Sequence, residues 1–232
     1  MKTNTLNIYV MASPQKNEVI FSGIKFADFM QGIPIPIENI LLPNPMHIGK
    51  KYYRKFELLE GKDDIAKLKR QNISNYGDFC FIDYANMAFV SQLTEEQLAE
   101  LLYLFHMFKP LQSPFFKVLQ NNYVYLSHDD GWYCKLYCKD EQIPVSMLIN
   151  KLLKSIQESF DDSISSLPND LISKIAELST QGLLVQLTMP KRKLKNGIAI
   201  IKLYDVGEYQ NIDDLFNNID DIKLTPSFEV QL

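Results

Sequence analysis

Cysteine is scarce in this chain, with three in 232 residues at positions 80, 134 and 138. An odd count at irregular spacing excludes a disulfide framework and suits a reducing cytoplasm. Long apolar runs are missing too. The densest, Leu101 to Phe108, spans about eight residues, far short of the roughly 18 a membrane-spanning helix needs. Met1 to Thr5 leads straight into an alternating strand pattern, without the apolar block and small-residue cleavage site of a secretory signal. There is no glycine-rich phosphate loop, no G-x-S-x-G elbow, no H-E-x-x-H helix, no internal repeat and no low-complexity tract. Net positive charge is also lacking: at −4 the chain has no global attraction for phosphate backbones or anionic lipid, so a nucleic-acid partner is disfavoured unless a local patch supplies one.

What is present is an ordinary folded-protein composition, 46% hydrophobic and 22% charged, which excludes wholesale disorder. Fourteen Phe and twelve Tyr against one Trp favour strands and a thick core. The length suits one sizeable core or two modest ones.

The firmest local pattern lies between Thr94 and Cys138. Thr94-Glu95-Glu96-Gln97 is a capping box, in which the threonine oxygen accepts from a backbone N–H and Gln97 reaches back. Leu98, Leu101, Leu102 and Phe105 then recur at i, i+3, i+4 and i+7, so a helix is predicted over 95–108, closed by Lys109-Pro110. Its second half is apolar nearly all round, which implies burial on most sides or an interface. Phe115 to Leu119, Tyr123 to Leu126 and Trp132 to Cys138, separated by Asn121-Asn122 and His128-Asp129-Asp130-Gly131, read as a three-stranded meander over 115–138.

Elsewhere Leu6 to Met11 and Glu18 to Phe21 read as a hairpin, and Ile24 to Met30 as a short helix. Gly32 to Ile37 reads as an extended connector, Leu42 to His47 as a loop and Tyr52 to Leu59 as one strand. Asp63 or Asp64 is expected to cap a polar helix reaching about Gln71, and Asp78 to Tyr84 to form a central strand. Lys139 to Gln142 is the candidate boundary. After it come helices over Val145 to Phe160 and around Leu171 to Leu178, strands over Leu183 to Met189 and Gly197 to Tyr204, an acidic helix over Asp213 to Ile219 and a strand over Ser227 to Val230. The expected fold is α+β, with antiparallel strands packed against segregated helices. Residues 1–140 and 141–232 form its two regions, packed as one compact unit.

His128, Asp129 and Asp130 are the one place where an imidazole and two carboxylates adjoin, and those types serve acid–base chemistry and metal binding. Neighbours in a turn diverge, however, and a polar turn closed by local hydrogen bonds is the better account of them. Cys134 and Cys138 share a strand face about 13 Å apart at roughly 3.3 Å per residue, too far for a disulfide or a shared zinc. They and Cys80 are read as core, and His106 as a core or interface residue; no metal and no cofactor is expected. Lys191 to Lys195 carries four cations but no interleaved aromatic, as a solvated hairpin tip would. Trp132 and Tyr125 are the aromatic candidates for partner contact.

Five segments carry a family resemblance: Asn7 to Val10, Val19 to Gly23, Tyr76 to Cys80, Ala99 to Leu104 and Val124 to Trp132. Over residues 7 to 135 the chain resembles an uncharacterised family of small Gram-positive bacterial proteins. Some members carry an "oxalate:formate antiporter" label, which the missing membrane spans contradict. The resemblance implies no activity, ligand or catalytic residue; it marks His128 to Trp132 as a family feature. The expected function is a non-enzymatic, soluble cytoplasmic interaction protein of regulatory, antitoxin or immunity type, with a protein partner. The alternative is a small enzyme or metal-dependent hydrolase using His128 with Asp129 or Asp130.

Overall fold

Apolar side chains at alternate positions make strands, and the same residues at i, i+3 and i+4 make helices; this chain contains both, grouped and not alternating. The computed structural model describes residues 3–71, 73, 79–127, 133–160, 164–190, 198–208, 215 and 225–232. In chain order its strands are β1 Thr3–Ser13, β2 Glu18–Ser22, β3 Asn39–Leu42, β4 Lys51–Tyr53, β5 Phe56–Glu60, β6 Cys80–Asp83, β7 Tyr123–Ser127, β8 Cys134–Cys138, β9 Leu183–Pro190, β10 Ile200–Asp205 and β11 Phe228–Gln231. The helices are α1 Phe26–Gly32, α2 Gly61–Arg70, α3 Met87–Val90, α4 Glu95–Met107, α5 Ile143–Ser159 and α6 Asn169–Ser179. The fold is α+β with antiparallel strands. No helix among the described residues is long and apolar enough to cross a membrane.

The residues group into two units, one of 1–15, 19–34 and 141–232 and the other of 16–18 and 35–140. Strand β1 pairs with β9 from Thr3↔Pro190 to Val10↔Leu183, which groups the N-terminus with the C-terminal residues.

In the first unit the strands run β11-β10-β9-β1-β2, with α5 and α6 packed on β1 and β9. Pro144 occupies the first turn of α5, where its missing N–H costs nothing. Helices α1 and α5 pack so closely at Gly32 that a Cβ there would stand 2.9 Å from the Met147 Cα. Beside that contact Asp28, 4% exposed, takes Lys151 Nζ at 2.8 Å and Lys154 Nζ at 2.6 Å. Burial alone would raise the Asp28 carboxyl, but the two ammonium groups outweigh it and hold it below the usual carboxylate value.

In the second unit the strands run β8-β7-β6-β3-β5-β4. Leu41, Phe56, Leu58, Cys80, Ile82, Val124, Leu126 and Tyr137 point from them into one core, met by Leu98, Leu101, Leu104 and Phe105 of α4. The capping box forms as the sequence predicts: Thr94 Oγ1 accepts from Gln97 N–H at 3.3 Å and Gln97 Oε1 from Thr94 N–H at 3.0 Å. The helix ends at Phe108, two residues before Pro110, in a left-handed conformation with φ 53°.

Several expectations are corrected here. Tyr52 to Leu59 is two strands, β4 and β5, joined by Arg54-Lys55 with Arg54 at φ 54°. Asn39–Leu42 is β3, seated between β5 and β6; its first three residues carry no assignment from sequence, and Leu42 reads there as the start of a loop. Phe115 to Leu119 is a turn-rich loop and no strand. Asn121 is fully buried and closes that loop on itself, accepting from Phe116 N–H at 2.8 Å and donating to Pro114 O at 3.1 Å, so it serves no hairpin turn. The three-stranded arrangement is therefore β6, β7 and β8, with β6 from earlier in the chain taking the place given to 115–119. Asp63 and Asp64 lie inside the first turn of α2, after the N-cap Glu60. The acidic helix over 213–219 falls outside the described residues except Leu215, which is buried.

Candidate functional site

The second unit exposes more apolar surface on α4 than an amphipathic helix needs. Leu102 is 51% exposed and Met107 44%, and His106 follows Leu102 by one turn, also exposed. Of the alternatives expected for the end of α4 and for His106, burial does not hold, since only Leu104 and Phe105 are buried there and His106 lies outside the core; the exposed apolar surface leaves the interface alternative. The core takes up the face through Leu98, Leu101, Leu104 and Phe105, leaving Leu102 outside it.

Against the exposed side of α4 stands the β4–β5 hairpin, and a cleft of about 480 Å³ lies between them. Phe56, Leu98, Ala99 and Leu102 form its apolar lining, and Arg54, Lys55 and Glu95 its polar margin. Arg54 spans the margin with both guanidinium arms on Glu95, one of them Nη1 to Oε2 at 2.8 Å, and its cationic carbon sits 5.9 Å from the centre of the Tyr53 ring. The Glu95 hydrogen bonds raise the Arg54 pKa above its ordinary value. Both side chains are largely exposed, so the pair adds little to stability and opens at small cost.

The hairpin is held from behind by Glu57. This residue of β5 has no exposed surface, yet its carboxylate accepts from three backbone N–H groups: Met46, His47 at 2.9 Å and Gly49. That pins the loop ahead of β4, where His47, at φ 57°, brings Nδ1 to 3.2 Å from the Tyr52 hydroxyl. Gly49 is required there, because a Cβ would come within 2.4 Å of the Leu58 carbonyl oxygen. No composition or spacing signal separates Glu57 from the chain's exposed glutamates, such as Glu95. Leu102, which the spacing places on the apolar face with Leu98, Leu101 and Phe105, stands outside the core instead, so the cleft gave no signal in the sequence.

His128, Asp129, Asp130 and Trp132 lie outside the described residues, as does the Lys191 to Lys195 loop. Tyr125 lies in the core: it is 1% exposed, stacked on Phe81 at 5.3 Å between ring centres, with its hydroxyl 3.2 Å from Cys134 Sγ. Its candidacy as a partner contact is thereby corrected, since a ring packed between strands presents no surface to another molecule. Cys80, Cys134 and Cys138 are all buried and free, and burial pushes the Cys134 thiol up to about 11, leaving a poor nucleophile.

Among the described residues no three of His, Cys, Asp and Glu stand together where they could hold a metal ion. The buried carboxylate nearest to catalytic behaviour is Asp83, pushed up to about 6 by burial. It accepts from the Asn122 N–H at 2.9 Å and the Tyr123 N–H at 2.6 Å, which ties β6 to the start of β7 and fills it with structural bonds. Comparison with protein-family models, curated proteins and solved structures finds no match to this chain.

Proposed function

We propose that this protein is a non-enzymatic interaction protein whose β4–β5/α4 cleft seats an apolar side chain of a protein partner. The observation that carries this reading is the half-exposed Leu102 at the edge of an apolar cleft of about 480 Å³, within the range of volumes that bind ligands and large anchoring side chains. A regulator, antitoxin or immunity protein works in this way, by stoichiometric occupation of a partner. The buried free thiols accord with a cytoplasmic setting. The hydrolase alternative belongs to His128 with Asp129 or Asp130, outside the described residues, and Asp83 offers it no substitute because its carboxylate is committed to backbone N–H groups.

The test is affinity capture by wild type, by Leu102→Asp and by Leu111→Asp, the last at an exposed leucine outside the cleft lining. All three proteins are expected to melt within about 0.5 kcal/mol of one another, since both sites are exposed. A partner should be retained by wild type and Leu111→Asp and reduced at least tenfold on Leu102→Asp. Equal retention on all three, or none on any, would remove the cleft from the function.

A further inference from the structure

Resting on that reading of the cleft, we infer that the seated segment is acidic as well as apolar: a peptide in which a large apolar side chain lies next to aspartate or glutamate. The margin of the cleft carries two cations, Arg54 and Lys55, against one carboxylate, Glu95. Lys55 forms no ion pair among the described residues. The other acids of the first turns of α4 do not redress the balance. At 3.6 residues per turn Glu96 and Glu100 lie roughly 100° and 140° round the helix from Glu95, away from Ala99 and Leu102, which lie within about 40° of it.

Arg54 is the group that would receive the ligand. Its guanidinium presents a planar fork of donors suited to a carboxylate, and that fork already grips one in Glu95. The Arg54–Glu95 pair is solvent-exposed at both ends, with side chains 50% and 72% accessible. An incoming carboxylate therefore exchanges for Glu95 without any buried charge being stranded, while its apolar neighbour descends onto Phe56 and Leu102. Lys55 supplies the extra positive charge that favours an acidic over a neutral segment. A basic segment would meet two cations and gain only Glu95, already engaged.

A displayed library of random nonapeptides, selected on the folded protein and counter-selected on Leu102→Asp, tests this directly. Selected peptides should contain a large apolar residue and carry Asp and Glu at least threefold in excess of Lys and Arg. Selection on Arg54→Glu/Lys55→Glu should reverse that bias; should this variant fail to fold, Lys55→Glu alone should reduce it. Peptides that depend on Leu102 but show no charge bias, or a basic one, would overturn the inference and leave the cleft reading standing. No peptide distinguishing wild type from Leu102→Asp would overturn both. A twenty-residue oligothymidylate that binds more tightly than the best peptide, with loss on Lys55→Glu, would assign the cations to phosphate and overturn it as well.

Discussion

The two units bury a carboxylate in opposite ways. In the first, Asp28 joins two helices through the flexible ammonium groups of Lys151 and Lys154. In the second, Glu57 has no counter-ion among the described residues and is held by three backbone N–H groups of one loop, and Asp83 is likewise held by the N–H groups of Asn122 and Tyr123. A lysine partner can follow its aspartate or retreat to water, because its charge sits on a long stem. A backbone N–H cannot retreat, so the loop and the carboxylate stand or fall together. The second unit is thereby the more rigidly built around its hairpin, which is also the wall of the open cleft.

The sharpest way to break this contrast is Glu57→Ala. It strands three backbone donors in a site with no exposed surface and leaves a void, and should cost about 4 kcal/mol in urea unfolding. A loss under about 1 kcal/mol would mean that the loop rearranges freely and that the hairpin is not held by it.

Next in size is the pH response of Asp83. Its folded pKa of about 6 stands above the ordinary 3.8, so the folded state binds the proton more tightly than the unfolded one. Stability from this group is fully present below about pH 4 and lost as pH rises through 6, a difference of roughly 3 kcal/mol. Asp83→Asn should therefore remove a fall in stability between pH 4 and pH 7 that wild type shows. Identical pH profiles for the two proteins would refute the assignment.

Asp28 carries the opposite sign. Its folded pKa is depressed, so its contribution is present above the unfolded value near 3.8 and lost as pH falls below it. Asp28→Asn should cost about 2 kcal/mol at pH 7, less than a fully buried pair because the Lys154 side chain is 34% exposed, and nothing at the acid limit. Adding Lys151→Met should recover part of the loss, since the ammonium left unpaired is then gone. A double variant no more stable than Asp28→Asn would show that the lysine reaches water unaided.

How far the sequence could be read depended on whether an element's cause was local. Helix α4 was legible to within a residue because its capping box and apolar stripe lie inside one stretch, and α5, read over Val145 to Phe160, to within two. The strands around Arg54-Lys55 were not separable, because that turn lacks the Gly or Asn that usually marks a two-residue hairpin. Phe115 to Leu119 has a strand's composition and becomes a loop because Asn121 turns its amide inward onto Phe116 and Pro114. Of the candidate site, only the α4 cap could be seen in advance; Leu102 reads from spacing as part of the apolar face, and the cleft was hidden because its other wall comes from residues some forty positions earlier.

By itself, then, the amino-acid sequence determined the α+β class, the positions of the long helices and the absence of a disulfide framework, since each follows from composition or from spacing within a few turns of chain. Tertiary structure alone decided that β1 belongs beside β9, that Glu57 is buried while Glu95 stands in water, and that Tyr125 is core while Leu102 is surface. Those outcomes depend on which distant backbone supplies a hydrogen bond or covers a side chain, and residue type does not encode that partner.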